Sequence, residues 1–348
     1  MISLEPSNPT EGAGETSRIQ KSNGPETDPL AARLARASAQ QSIGSKALKA
    51  FSTITFAGLI AATSLLPASA LSPAAAMEIS GAGAPHPIFV KWADAYQTET
   101  GTVVNYYAIG SANGIKQIRN NIVTFGVSDM PLKADQLNGE GLIQFPGVIG
   151  GTVPVMNLEG IKAGEVRLDG TTLAKIFLGE IKTWNHPAIV ALNPSTTLPP
   201  HPIVVVHRSD DIGTTFIWTS YLSKVSPEWK SKVGESTSVD WPTGIGANGN
   251  EGMVTSVQNT MGAIGYVEYV YAKQSRLATV SMINKDGKTV EPGFTAFQAA
   301  ARNGRWSKED NVILTHQPGA ASWPITGAAF ILVQEHPKDP VAVGEALK

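Results

Sequence analysis

From Glu78 onward, apolar positions recur alternately at strand and helix spacing. Phe89, Trp92, Ala93 and Tyr96 share one helical face that stops at Gly101, which predicts a helix ended by that glycine. Val103–Ile109 is rich in β-branched and aromatic residues and predicts a strand. Ile115, Ile118 and Ile122 return to helical spacing, and Phe125-Gly126-Val127 opens another strand. Ile203–Val206 is a short apolar run suited to a buried parallel strand, followed by a turn and a helical stretch carrying Phe216, Ile217 and Tyr221. Strand–turn–helix succession of this kind predicts an α/β protein with mostly parallel sheets. The sequence has no fixed-period internal repeat.

The first part of the chain is different. Residues 1–50 are polar, rich in Ser, Pro, Gly and Ala, and lack apolar periodicity, a composition that predicts disorder. Arg33, Arg36, Lys46 and Lys49 precede a nearly uncharged run, Phe51–Leu66, which Pro67 breaks. Ala68-Ser69-Ala70 and Ala74-Ala75-Ala76 then offer two small-residue exits. Basic flank, short apolar run and A-x-A site predict a cleaved signal peptide, so residues 1–76 are read as leader. A membrane anchor is the competing reading, but the run is short against the ~20 residues of a spanning helix.

Composition narrows the chemistry. Lys and Arg number 27 against 29 Asp and Glu, a balance that supplies no broad basic face for nucleic acid. The chain has no cysteine, so disulfides, thiolate metal sites, a cysteine nucleophile and a lipidated-cysteine anchor are excluded. Its six histidines are scattered without metal-ligand spacing, and neither a metal nor a cofactor is expected. Any anion site must therefore be local.

Three polar turns fall near strand ends: Gly110-Ser111-Ala112-Asn113-Gly114, Gly126-Val127-Ser128-Asp129, and Arg208-Ser209-Asp210-Asp211-Ile212-Gly213-Thr214-Thr215. Free amides at helix N-termini hold anions without a large net charge, and glycine lets the backbone approach closely. Arg208 is suited to grip an oxyanion through paired hydrogen bonds. Each turn also has a plainer reading: Ser111, Asp129 and Thr214 as helix caps, and Arg208–Asp210 as a surface ion pair of little worth. Spacing alone leaves both open.

The run of motifs resembles the phosphate-binding proteins of bacterial ABC importers. The matching segments are ISGAGA (79–84), KWADAYQTETG (91–101), VNYYAIGSANGIKQI (104–118), FGVSDMPL (125–132) and GLIQFPGVIGGTVPVMNLEGI (141–161). They continue with LDGTTLAKIFLGEIKTWNHPAI (168–189), VVVHRSDDIGTTFIWTSYL (204–222), GNEGMVTSVQNTMGAIGYVEY (249–269) and WPITGAAFIL (323–332). The resemblance implies a two-lobed periplasmic-binding-protein fold of type II with the ligand cleft between lobes. It places lobe I at about 77–154 and 329–348 and lobe II at 155–328, with hinge strands near 150–157 and 325–332. It implies a monomeric receptor in the periplasm that binds inorganic phosphate and docks on the transmembrane permease subunits of an ABC importer. No catalytic residue is implied.

Carried over residue by residue, the phosphate contacts are Ser111, Asp129, Arg208, Gly213 and Thr214, with Asp210 orienting Arg208. A carboxylate facing the anion selects one that carries a proton, which phosphate has near neutral pH and sulfate lacks. The departures fall at Pro85-His86, which replace a Thr-Phe pair in a segment two residues shorter, and at Ile212, which replaces a serine. Asp211, Ala112 and Asn113 also differ from the family. Each hydrogen bond lost to a charged group costs roughly 1.5–3 kcal/mol, and His86 is a candidate replacement donor. The C-terminus stops soon after the second crossing, so lobe I is expected to be shortened there. Two alternatives stay open: a receptor retuned to phosphite or a phosphonate, or a weakly binding homologue. A secreted phosphate-ester hydrolase is the reading from another class, and the sequence offers it no metal cluster or activated nucleophile.

Overall fold

The computed structural model describes residues 76–306 and 312–347. The expected leader and signal peptide fall, apart from Ala76, outside the described residues. The described chain runs β1 (Met77–Gly81), α1 (His86–Thr100), β2 (Val104–Ala108), α2 (Ser111–Arg119), β3 (Phe125–Ser128), α3 (Ala134–Glu140) and β4 (Leu142–Met156). It continues with β5 (Arg167–Leu168), α4 (Gly170–Phe177), α5 (Pro187–Leu192), β6 (Val204–Arg208), α6 (Gly213–Val225), α7 (Pro227–Lys232) and β7 (Ile245–Ala247). The remainder is α8 (Gly249–Asn259), β8 (Ala263–Glu268), α9 (Tyr269–Gln274), β9 (Ala278–Thr279), β10 (Ser281–Ile283), β11 (Thr289–Val290), α10 (Phe294–Arg302), β12 (Thr326–Gln334) and α11 (Pro340–Ala346).

Two βαβαβ halves of the same topology are visible. In the first, β1 lies between β2 and β3 and pairs with both in parallel. In the second, β6 lies between β7 and β8 and again pairs with both in parallel. The halves are joined into one nine-stranded sheet of order β2-β1-β3-β12-β4-β8-β6-β7, with β9 added against β4.

The joining strands correct the expectation of a mostly parallel sheet. β12 is antiparallel to β3 and β4, and β4 is antiparallel to β8. A chain that passes from one half to the other and back lays its outgoing and returning strands in opposite directions. β4 exchanges partners at one place: Gly151 pairs with Thr326 of β12, and the next residue, Thr152, pairs with Glu268 of β8. The Trp323 indole, fully buried, donates to the Thr152 carbonyl at 2.9 Å and ties the returning chain to this point.

Two helices follow local rules. Gly101 ends α1 in the left-handed conformation at φ 75°, as its place after the apolar face predicts. Asp169 caps α4 by accepting the Thr172 amide at 2.7 Å. The apolar faces are only partly buried. Phe89 is inside, whereas Trp92 is half exposed and leans edge-on over Phe89. Ile122 lies beyond the end of α2 and is 63% exposed, because the helix stops at Arg119 and Asn121 takes a positive φ. The main core belongs to the second half, where α6 is buried from Gly213 through Ser223 and Trp218 stacks on Tyr266 at 4.6 Å.

α2 sits unusually close to the sheet. A Cβ on Gly114 would lie 2.6 Å from Gly81 Cα, 2.8 Å from the Ser80 carbonyl oxygen and 2.9 Å from that of Val127. In a free helix Gly→Ala stabilises by up to about 1 kcal/mol. Here all three neighbours are backbone and cannot turn away, so the clash wins. Gly114→Ala is expected to destabilise the protein by about 1–3 kcal/mol in a denaturant titration, with α2 pushed off the strands beneath it.

Candidate functional site

The carboxyl ends of β1, β2, β3, β6, β7 and β8 converge, the usual place for a ligand in open α/β sheets. Gly110 follows β2 with φ 92° and places Ser111 as the first residue of α2. The Ser111 hydroxyl accepts the Asp129 amide at 3.0 Å, so it links the turn after β2 to the turn after β3 rather than capping its own helix. Asp129 is no helix cap either, since the next helix starts only at Ala134.

From the second half, β6 delivers Arg208 and the turn after it delivers α6. Tyr266 of β8 fixes both: its hydroxyl accepts the Arg208 amide at 3.3 Å and lies 2.8 Å from Thr215 Oγ1. Ile212 precedes α6 with extended backbone, so the first turn of the helix opens at Gly213 and Thr214. The two halves meet closely here. A Cβ on Gly213 would lie 2.4 Å from Ser111 Oγ and 2.5 Å from Asp129 Cβ. Only glycine permits that approach, and it sets the start of α6 against the Asp129 side chain.

Arg208 is 4% exposed, so the plain surface-pair reading does not hold. Its Nε donates to Asp210 Oδ1 at 2.7 Å, Nη2 donates to Asp210 Oδ2, and Nη1 donates to Asn250 Oδ1 at 3.1 Å. Those three bonds leave N–H groups of the fork to spare. Burial works most strongly against the guanidinium charge, but the Asp210 hydrogen bonds together with the Glu268, Asp210 and Tyr266 charges outweigh it and hold Arg208 above its ordinary pKa. Burial likewise disfavours charge on Asp210, and the bonds and charge of Arg208, with the Asp210 and Gly249 amides, together reverse that and hold its carboxyl below the ordinary range. The neighbouring Asp211 is exposed and adds no buried charge.

Asp129 is the opposite case. It is 3% exposed, and its Oδ2 has no hydrogen-bond partner among the described residues. Burial first, and then the Glu268 carboxyl, push its pKa well above the ordinary carboxylate range, with Arg208 opposing. Asp129 and Glu268 line one cavity of about 270 Å³ with Ala84, Pro85, Ile88 and Val148. The Thr214 hydroxyl donates to Glu268 Oε1, which leaves the Thr214 amide, rather than its hydroxyl proton, turned to other use.

The departures from the family pattern have places as well. Pro85 immediately precedes α1 and lines the cavity. His86 begins the helix, and its ring packs against Tyr106 at 5.7 Å. Ile212 is buried, with its Cδ1 near Gly110 and Gly83 across the junction, so it closes the gap between the halves with apolar contact. Glu268 and Asn250 were not singled out in the sequence. The available signal was a lone acid ending the apolar strand Ala263–Glu268. Among the described residues, no group of three or more His, Asp or Glu side chains is arranged to hold a metal ion.

The opposed pKa shifts give a pH signature. Asp129 has its folded pKa raised, so the ligand-free fold loses stability as pH rises from about 3.9 to that folded value and keeps the penalty above it. Asp210 has its folded pKa depressed, so its contribution is present above about 3.9 and is lost as pH falls further. Thermal melts of the ligand-free protein are expected to peak in the acid range rather than at neutral pH. Asp129→Asn is expected to raise the neutral-pH melting temperature and flatten its decline above the peak.

Comparison with known proteins places this arrangement. Residues 68–348 match the family model described as PBP superfamily domain. The chain is 53% identical over 269 residues to the phosphate-binding protein PstS of Pasteurella multocida, covering 76% of this chain and 78% of that protein. It is 51% identical over 269 residues to PstS of Haemophilus influenzae, covering 76% and 80%. In fold it is similar to the crystal structure of an ABC-type phosphate transport receptor from Vibrio cholerae, with TM-score 0.52 and 18% identity, covering 78% of this chain and 91% of that one. The chain belongs to the PBP superfamily and, within it, to the PstS family of two-lobed α/β binding proteins.

Proposed function

We propose that the protein binds inorganic phosphate between its two lobes and delivers it to the transmembrane permease of an ABC importer. Family membership supports the class of function, and one observation carries the ligand: the buried Oδ2 of Asp129, without a partner among the described residues, beside Gly213 at the opening of α6. A bare anion facing that oxygen meets repulsion. An oxyanion that carries a proton donates it to Oδ2 while its other oxygens take the amides.

In this reading Ser111 supplies its hydroxyl, Gly213 and Thr214 supply backbone N–H groups, and Arg208 supplies the N–H groups that Asp210 and Asn250 leave free. Asp210 holds the guanidinium in the plane the anion needs. Lobe I comprises about 77–154 and 329–348, lobe II about 155–328, and the exchange of partners at Gly151–Thr152 supports a hinge in the first crossing segment. Closure of the lobes on the anion gives the permease a shape to recognise. The role needs no covalent step. It is that of a monomer in the periplasm, reached by way of a cleaved leader.

A second reading, a receptor for phosphite or a phosphonate, is favoured by the apolar wall of Ala84, Pro85, Ile88 and Val148 beside Asp129. Such a wall suits one oxygen replaced by hydrogen or carbon. Calorimetry with phosphate, sulfate, phosphite and methylphosphonate separates the readings. Phosphate is expected to bind at least about a hundredfold more tightly than sulfate, since the acceptor Oδ2 is left facing a charge without a proton. Asp129→Asn is expected to abolish most of that preference, and Arg208→Met to weaken phosphate about thirtyfold or more. Phosphate binding that is unchanged in both variants excludes this site.

A further inference from the structure

The third strand of each half ends on an acid. Asp129 directly follows β3, and Glu268 closes β8 at the matching place in the second half. Both carboxyls are buried, both line the same cavity, and each keeps one oxygen without a partner among the described residues: Oδ2 of Asp129 and Oε2 of Glu268. The reading above gives Asp129 a task and gives Glu268 none. Yet Glu268 Oε1 holds the hydroxyl of Thr214, a residue whose amide is proposed to bind the anion.

The direction of that bond depends on the state of the acid. An ionised Glu268 can only accept, so Thr214 spends its hydroxyl proton on Glu268 and presents lone pairs to an arriving anion. A second negative charge then stands beside Asp129. A protonated Glu268 donates to Thr214 Oγ1 instead, and the hydroxyl proton becomes available to the anion.

We propose that Glu268 is a proton-coupled positioning residue: as the anion binds, it takes up and keeps one proton from solvent, donates a hydrogen bond through it to Thr214 Oγ1, and so turns the Thr214 hydroxyl onto the anion. This rests on the phosphate reading of the site and adds a proton to it.

The surrounding groups favour the step. Burial raises the Glu268 pKa, while the Arg208 charge and the bonds from Thr214 and Asn250 oppose the rise. Asp129 faces it from the end of β3, and Arg208, held by Asp210, acts on it from the end of β6. Tyr266 stands on its own strand, Tyr271 on α9 and Glu251 on α8. Tyr106 of β2 lies behind Asp129, with His86 against it. A bound anion adds negative charge to this set and raises the Glu268 pKa further. As pH rises through the titration of the ligand-free acid, binding must recover the lost proton. The Kd for phosphate therefore weakens by up to about tenfold per pH unit beyond what the titration of phosphate itself produces.

Calorimetric titration with inorganic phosphate, across pH and in buffers of differing ionisation enthalpy, counts the protons taken up. Wild type is expected to take up close to one more proton than Glu268→Gln at pH values above the titration. The glutamine amide donates to Thr214 at every pH, so the variant is expected to retain phosphate binding with the shallower slope. Equal proton uptake and equal slopes in the two proteins overturn the proposal. Loss of phosphate binding in a folded Glu268→Gln also overturns it. A wild type that binds no phosphate at all overturns the reading beneath it, which is a separate outcome. If the variant does not fold, an infrared difference spectrum of wild type decides. Phosphate is expected to add a protonated-carboxyl band, and its absence above the titration contradicts the proposal.

Discussion

A carboxyl oxygen buried without a partner is costly, and at Asp129 the described residues leave one. Nothing about stability asks for it. Burial and the nearby Glu268 both push the group toward its neutral form, and an asparagine or an apolar side chain would sit there more comfortably. The oxygen is retained next to Gly213, in the first turn of a helix whose opening amides are donors. Donors and one acceptor side by side suit a ligand that is negative and yet carries a proton. The rest of the site can be understood as the frame that holds this pair of demands in register.

The frame is a doubled one. Each half builds the same β-α-β-α-β unit around a central strand, and the two units face each other by their carboxyl ends. Ser111 and Asn250 lie in the first turns of the helices that follow the second strand of each half. Asp129 and Glu268 stand at the ends of the third. The helices after the first strands are where the symmetry breaks. α6 begins with Gly213-Thr214 and brings Gly213 close against Ser111 and Asp129, whereas α1 begins behind Pro85, which has no N–H to offer. The proposed anion contacts thus fall mostly in the second half. Ile212 adds an apolar clasp over Gly83 and Gly110, where a smaller polar residue would have offered a hydroxyl.

Much of the fold was legible because local rules placed it. The glycine stop at Gly101 and the short run before Arg208 mark real boundaries, and the glycine-bearing turns at 110 and 213 really do precede helices. The parallel pairing inside each half was legible too, while the antiparallel joints were not. Pairing of β4 with β12 depends on contacts between residues far apart in the chain, and no periodicity encodes them. The doubled topology was equally hidden, since the halves share a path and no spacing of residues. At the site, Ser111, Asp129 and Arg208 stood out as polar residues in turns. Glu268 did not, because a single acid closing an apolar strand resembles an ordinary strand end until its burial is seen.

The account depends on where the proton sits when the site is filled. A neutron structure of the phosphate complex, grown from deuterated solution, observes it directly. The result expected is one phosphate oxygen about 2.5–2.7 Å from Asp129 Oδ2 with a deuteron between them, and other phosphate oxygens accepting the Gly213 and Thr214 amides. An anion bound elsewhere, or an Asp129 turned away from it with no deuteron shared, would contradict the account.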